Sequence, residues 1–114
     1  MALVHIVEDD LGVCDSLRML LEQMGHSVAA HADAESFFES GPPGPDDVVL
    51  VDLGLPGIAG ADIVRWVSRL DGPPHIVVIS GLSQTRIDEM LRDVVAPVVL
   101  LRKPLSEAAL ADAI

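Results

Sequence analysis

With 114 residues, half of them hydrophobic, the chain has the size of one domain with a real core and is far too apolar for a disordered acidic tail. Seven Lys and Arg against eighteen Asp and Glu give a formal net charge of −11 at pH 7, which repels phosphate backbones and anionic lipid, so direct contact with nucleic acid or membrane is not expected. Of the seven cations one alone is a lysine, Lys103.

Taken in chain order, Leu3–Val7 is an apolar, β-branched run that ends in three acids, Glu8, Asp9 and Asp10. No cationic segment precedes it, so a secretory signal is not expected there. From Leu11 to Met24 the apolar residues Leu11, Cys14, Leu17, Leu20, Leu21 and Met24 recur at helical spacing, and Gly25 ends the run. Asp10 is placed as the helix N-cap rather than as a ligand. Cys14, the single cysteine, falls on the apolar face and reads as packing; alone, it allows no internal disulfide and no multi-cysteine metal site.

Ser27–His31 reads as a second strand and Ala34–Ser40 as a short helix, closed by the loop Gly41–Pro45. Asp47–Leu53 is a third strand, apolar on successive residues as expected when both sheet faces are covered. A helix over Ile58–Leu70 carries Val64, Val67 and Leu70 on one face. A fourth strand, His75–Ser80, follows the turn Gly72–Pro74. Gln84–Val94 is helical with Ile87, Met90, Leu91 and Val94 inward, Pro97–Arg102 is a fifth strand, and Leu105–Ile114 begins a last helix. The longest apolar stretch, Val94–Leu101, is broken by Pro97 and falls short of the roughly 20 residues a membrane span needs. A cytoplasmic setting is therefore expected. Five strand-then-helix units with right-handed crossovers predict an α/β fold: one doubly wound, five-stranded parallel sheet with helices on both faces. A single domain over residues 1–114 is expected, with its last helix cut from something longer.

In such sheets the chemistry gathers beyond the carboxyl ends of the strands. Those ends deliver Glu8 and Asp9, Asp52, Ser80 and Lys103. Converging carboxylates repel, by about 4 kcal/mol for two charges near 4 Å at an effective dielectric of 20. A hard divalent cation neutralises them, and magnesium takes one or two carboxylates, keeps waters and adds a phosphate oxygen. Lysine suits phosphate as a compact point charge. The set reads as a phosphoryl-transfer site with a carboxylate as covalent acceptor. His5, His26, His31 and His75 lack ligand spacing, and Phe37, Phe38 and Trp66 are too few and scattered for a base-stacking platform.

Four pieces in order, Val7–Asp10, Val51–Pro56 followed by Gly60, Ile79–Gly81, and Lys103–Pro104, resemble the receiver domains of two-component response regulators over essentially the whole chain. Val4–Val7 and Ser16–Phe38 look most like the FixJ-type subgroup. The resemblance implies the flavodoxin-like strand order 2-1-3-4-5 and a phosphohistidine donor on a sensor histidine kinase or phosphotransfer protein, with Asp52 as acceptor. It further implies magnesium (or manganese) on Asp9, Asp52 and the Gly54 backbone carbonyl, Glu8 acting through a metal-bound water, Lys103 bridging to the phosphoryl group, and Ser80 turning to bond it. A cis Lys103–Pro104 bond, a C-terminal DNA-binding output domain for transcription regulation, and a phosphorylation-dependent homodimer belong to the same implication. Turnover of a separate substrate does not.

Two positions depart from the family pattern. Leu100 stands where an aromatic switch residue is usual, and Arg92–Pro97 lacks the usual Ala-Gly-Ala turn. Leu100 motivates the alternative of a non-phosphorylated, receiver-like interaction module. A haloacid-dehalogenase phosphatase would need a second Asp where Gly54 stands, and dinucleotide binding would need a Gly-rich turn where Glu8, Asp9 and Asp10 stand.

Overall fold

A computed structural model describes residues 2–55 and 59–114. Five strands alternate with five helices: β1 Leu3–Val7, α1 Leu11–Gln23, β2 Ser27–His31, α2 Ala34–Glu39, β3 Val48–Asp52, α3 Ala59–Ser68, β4 His75–Ser80, α4 Gln84–Met90, β5 Val98–Arg102 and α5 Glu107–Ala113. The strands form one parallel sheet in the order β2-β1-β3-β4-β5, as expected.

Alternation along each strand splits the core into two layers. Val7, Val49, Val51, Ile76 and Val78 face Phe37 of α2, Ile63, Val64 and Val67 of α3, and Ile87 of α4. Val4, Ile6, Val48, Leu50, Val77 and Ile79 face Cys14, Leu17 and Leu21 of α1 and Leu110 of α5. β3, in the middle, is buried at all five residues, which explains its unbroken apolar run. Cys14 is packing, as read. The aromatics scattered in sequence meet in space, with Phe37, Phe38 and Trp66 edge-to-face at 5.1–6.0 Å between the first two helices of the Phe37 layer.

Several boundaries differ from the sequence reading for local reasons. α1 stops at Gln23 with Met24 as its cap, and Gly25 takes φ 93°. Ser40 likewise caps α2 rather than extending it. β3 starts one residue after Asp47, whose carboxylate instead accepts from Gly44 N and pairs with His5 Nε2 at 2.9 Å. α3 ends at Ser68, and the chain closes in tighter turns from Arg69 N to the Trp66 carbonyl and from Leu70 N to that of Val67. α4 ends at Met90, four residues before Val94: Leu91 leaves the helical region at φ −107°, and Arg65 of α3 takes the Met90 carbonyl. β5 begins after Pro97, which has no N–H for the ladder. α5 begins at Glu107 because Ser106 caps it. The expected helix start at Ile58, and Pro56 and Gly57 of the turn before it, lie outside the described residues.

Candidate phosphoacceptor and metal site

β1 runs straight into Glu8, which is 2 % exposed and fixed by its backbone N–H to the carbonyl of His31 on β2. Its Oε1 accepts from Asp10 N at 3.3 Å, while Oε2 is buried with no hydrogen-bond partner among the described residues. Asp9 is exposed. Asp10 turns away to start α1, its Oδ1 accepting from Gly12 N and Val13 N at 3.0 and 3.2 Å, so it is an N-cap, as expected.

β3 delivers Asp52, 3 % exposed. Gly54 N donates to its Oδ1 at 2.7 Å and Lys103 Nζ to its Oδ2 at 2.9 Å. Gly54 thus enters the geometry through its amide. Ile79 pairs with Asp52 across the sheet, which puts the fully buried Ser80 at the same end. The Ser80 hydroxyl accepts from Leu82 N at 2.9 Å, and its carbonyl accepts from Lys103 N at 3.0 Å. The Lys103–Pro104 bond is cis. Beside Lys103 a largely apolar cavity of about 780 Å³ runs along α1, lined among others by Val13, Leu17, Leu20, Pro104 and Leu105.

The acids are not equivalent. Burial, then the neighbouring Asp52 carboxylate, pushes the Glu8 pKa up to about 8. Burial also acts to raise Asp52, but the Glu8 carboxyl, the Gly54 amide and the Lys103 ammonium outweigh it and hold Asp52 below the usual carboxylate range. Burial works against the charge on Lys103, and its bond to Asp52 more than restores it. Asp52, clasped by Lys103, is therefore the stronger acid of the pair, and Glu8 beside it gives up its proton far less readily.

Glu8, Asp9 and Asp52 each place a carboxylate oxygen within 4.8 Å of the others. Hard oxygen donors on rigid strand ends, one of them buried without a partner, fit a divalent cation of the magnesium type. The site residues named from sequence thus stand at one end of the sheet. Sequence reading missed Arg65, part of whose signal, an i,i+3 pair with Asp62, is visible along α3; its other partners, Met90 and Asp93, lie 25 and 28 residues away. It also missed the stack of His5 on His31 at 6.5 Å, because those residues are neighbours only through the β1–β2 pairing.

Residues 4–114 match the family model of the response regulator receiver domain. Among curated relatives, the transcriptional regulatory protein FixJ of Azorhizobium caulinodans is 28% identical over 112 residues, covering 97% of this chain and 52% of the relative. Nodulation protein W of Bradyrhizobium diazoefficiens is 31% identical over 114 residues, covering 99% of this chain and 49% of that protein. The chain spans about half the length of these relatives. Of solved structures, the response regulator DrrB of Thermotoga maritima superposes with a TM-score of 0.80 at 20% identity, over 98% of this chain and 50% of that one. The Vibrio cholerae chemotaxis protein CheY4 gives 0.80 at 20% identity, over 98% and 94%; these likenesses carry the fold. Family match, topology and strand-end residues agree: the chain belongs to the receiver domains of two-component response regulators, of the FixJ-like kind, and its business is phosphorelay signalling.

Proposed function

We propose that the domain is a magnesium-dependent phosphoacceptor switch, with Asp52 as the residue that becomes phosphorylated. The observation that carries this reading is the clasp on Asp52: a buried carboxylate held on one oxygen by the Gly54 amide and on the other by Lys103. A carboxylate kept ionised and oriented in this way is a ready nucleophile. An Asp52 oxygen attacks the phosphorus of a phosphohistidine on a sensor kinase or phosphotransfer protein, the P–N bond breaks, and its electron pair returns to the donor imidazole. The product is an acyl phosphate on Asp52.

Lys103 is placed to follow the added charge, since its ammonium already bridges from the β5 end to the acceptor oxygen. Ser80, whose oxygen accepts from Leu82 N, keeps its hydroxyl proton to donate to a phosphoryl oxygen. Asp9, Asp52 and the Gly54 carbonyl would hold magnesium or manganese, with Glu8 acting through a bound water. The ion supplies Lewis-acid neutralisation of the phosphoryl oxygens. The apolar cavity beside Lys103 offers the donor protein a landing place next to the acceptor. The chemistry is on the protein itself, without turnover of a separate substrate, and its consequence is control of a transcription output domain or partner. A switch that assembles as a homodimer when phosphorylated is compatible with this reading.

Incubation with magnesium and a small phosphodonor, read by intact mass, tests the assignment. Labelling of the wild type at a single position and none in Asp52→Asn is expected. An unlabelled wild type, or an Asp52→Asn protein that labels as well, overturns it.

A further inference from the structure

α4 has seven residues, of which Ile87 alone is buried. A helix so short has little stability of its own, so its position is set by what holds its ends. Its first end is tied to the phosphoacceptor site: Leu82 N donates to the Ser80 hydroxyl at 2.9 Å, and Ser83 next to it is the N-cap of α4, accepting from Arg86 N. Its last end is tied to α3 by one guanidinium. Arg65 donates from Nη2 to the Met90 carbonyl at 2.8 Å, from Nε to both Asp93 oxygens at 3.0 and 3.1 Å, and from Nη1 to Asp62 at 3.0 Å. Arg69 adds a looser contact to Asp93 at 3.6 Å. A cation on the terminal carbonyl of a helix also complements the helix dipole.

We propose that Arg65 is a latch holding the far end of α4 in the arrangement of the unphosphorylated domain, so that modification of Asp52, read at Ser80, has to work against it. The inference rests on the phosphoacceptor reading of Asp52. Between the two fastenings the contacts are apolar and non-directional: Leu100 of β5, with Met90 and Leu91, packs against the core layer that holds Val64, Val67 and Ile87, and a leucine at this position offers no aromatic ring to turn. Directional hold on α4 is concentrated at its ends. When the Ser80 hydroxyl turns to a phosphoryl oxygen, the first fastening shifts, and α4 follows only as far as Arg65 lets it. Removing the latch therefore favours the phosphorylated arrangement without touching the acceptor, the metal ligands or Lys103.

The test compares wild type, Arg65→Gln and Asp93→Asn in two measurements: amide hydrogen exchange without phosphodonor, and the rate of Asp52 labelling by acetyl phosphate with magnesium. Asp93→Asn keeps the Met90 and Asp62 bonds and so guards against a variant that fails to fold. Both variants are expected to exchange faster over residues 84–94 alone, to keep the wild-type magnesium affinity, and to label faster by roughly fivefold for Arg65→Gln, the bias a partly exposed charge network can exert. Labelling at the wild-type rate or slower in both variants, even with faster exchange, makes Arg65 a structural tie only and overturns the latch. A wild type that takes no label at all overturns the phosphoacceptor reading and the latch with it.

Discussion

Lys103 Nζ donates to Asp52 Oδ2 at 2.9 Å, joining the ends of β5 and β3 across 51 residues of sequence. The pair is unequal: the lysine side chain is 37% exposed, the aspartate side chain 4%. Replacing Lys103 by Met leaves a buried carboxylate beside Glu8 with its cation gone. The expected cost is about 2 kcal/mol, less than the ~3–5 kcal/mol of fully buried pairs because the lysine is partly solvated. Magnesium should restore part of that stability, since a divalent ion replaces the missing charge. Urea unfolding with and without magnesium measures both effects. Labelling by a small phosphodonor should fall by at least about tenfold, as the developing charge loses its bridge.

Glu8→Gln separates metal binding from folding. The side chain is almost wholly buried, Oε2 has no partner among the described residues, and its neighbour Asp52 is held below the usual carboxylate range. A neutral amide of the same shape stands in for a carboxyl whose charged form burial and Asp52 already disfavour, so stability without metal should be unchanged or slightly higher. Magnesium affinity should drop by roughly tenfold, the usual loss when an outer-sphere carboxylate is neutralised. Titration calorimetry reads the affinity directly. Wild-type affinity in the variant would remove Glu8 from the metal site.

What could be read from the sequence was whatever the chain states locally. The strands announce themselves as apolar runs, and three of the site residues follow because each is the polar residue at which such a run ends: Glu8 after Val7, Asp52 after Val51, Ser80 after Ile79. Asp10 as a cap needed only its position before Leu11. What could not be read depends on distant partners. α4 reads as helical to Val94 because Met90, Leu91 and Val94 keep an inward spacing, yet Arg65 takes the Met90 carbonyl and Asp93 folds back onto α3. His5 and His31 look unrelated until β1 pairs with β2. Phe37 closes on both rings edge-on at 6.0 and 5.5 Å, and Asp47 anchors the first of them from before β3.

Gly60 should prove intolerant of any side chain. A Cβ there would lie 2.7 Å from the Asp52 carbonyl oxygen and 3.1 Å from Leu53 Cα. Both are backbone atoms on the buried central strand and its continuation, so neither can swing aside. The first turn of α3 packs directly on the peptide that carries the acceptor. Gly60→Ala should cost about 1–3 kcal/mol as overpacking and should slow labelling by displacing Asp52, even though alanine favours helix more than glycine does. A stabilised Gly60→Ala protein in thermal unfolding would contradict the close approach.

The histidine cluster predicts a dependence of stability on pH separate from that of the site. The His31 ring lies against His5 and the edge of Phe37, with Nδ1 on the Ser36 hydroxyl at 3.2 Å and Nε2 buried without a partner among the described residues. Burial first, then the proximity of His5, lowers the His31 pKa below its ordinary 6.5, and the Asp33 charge only partly opposes them. A histidine with a depressed folded pKa binds its proton more readily when unfolded. Its contribution is fully present above about 6.5 and is lost as pH falls below that value toward the folded pKa. Urea unfolding from about pH 7.5 to about pH 5.5 should show the wild type losing more stability than His31→Gln, which carries no titrating ring through the same window. Equal losses in the two proteins would mean that the His31 ring takes up its proton in the folded state as easily as in the unfolded chain.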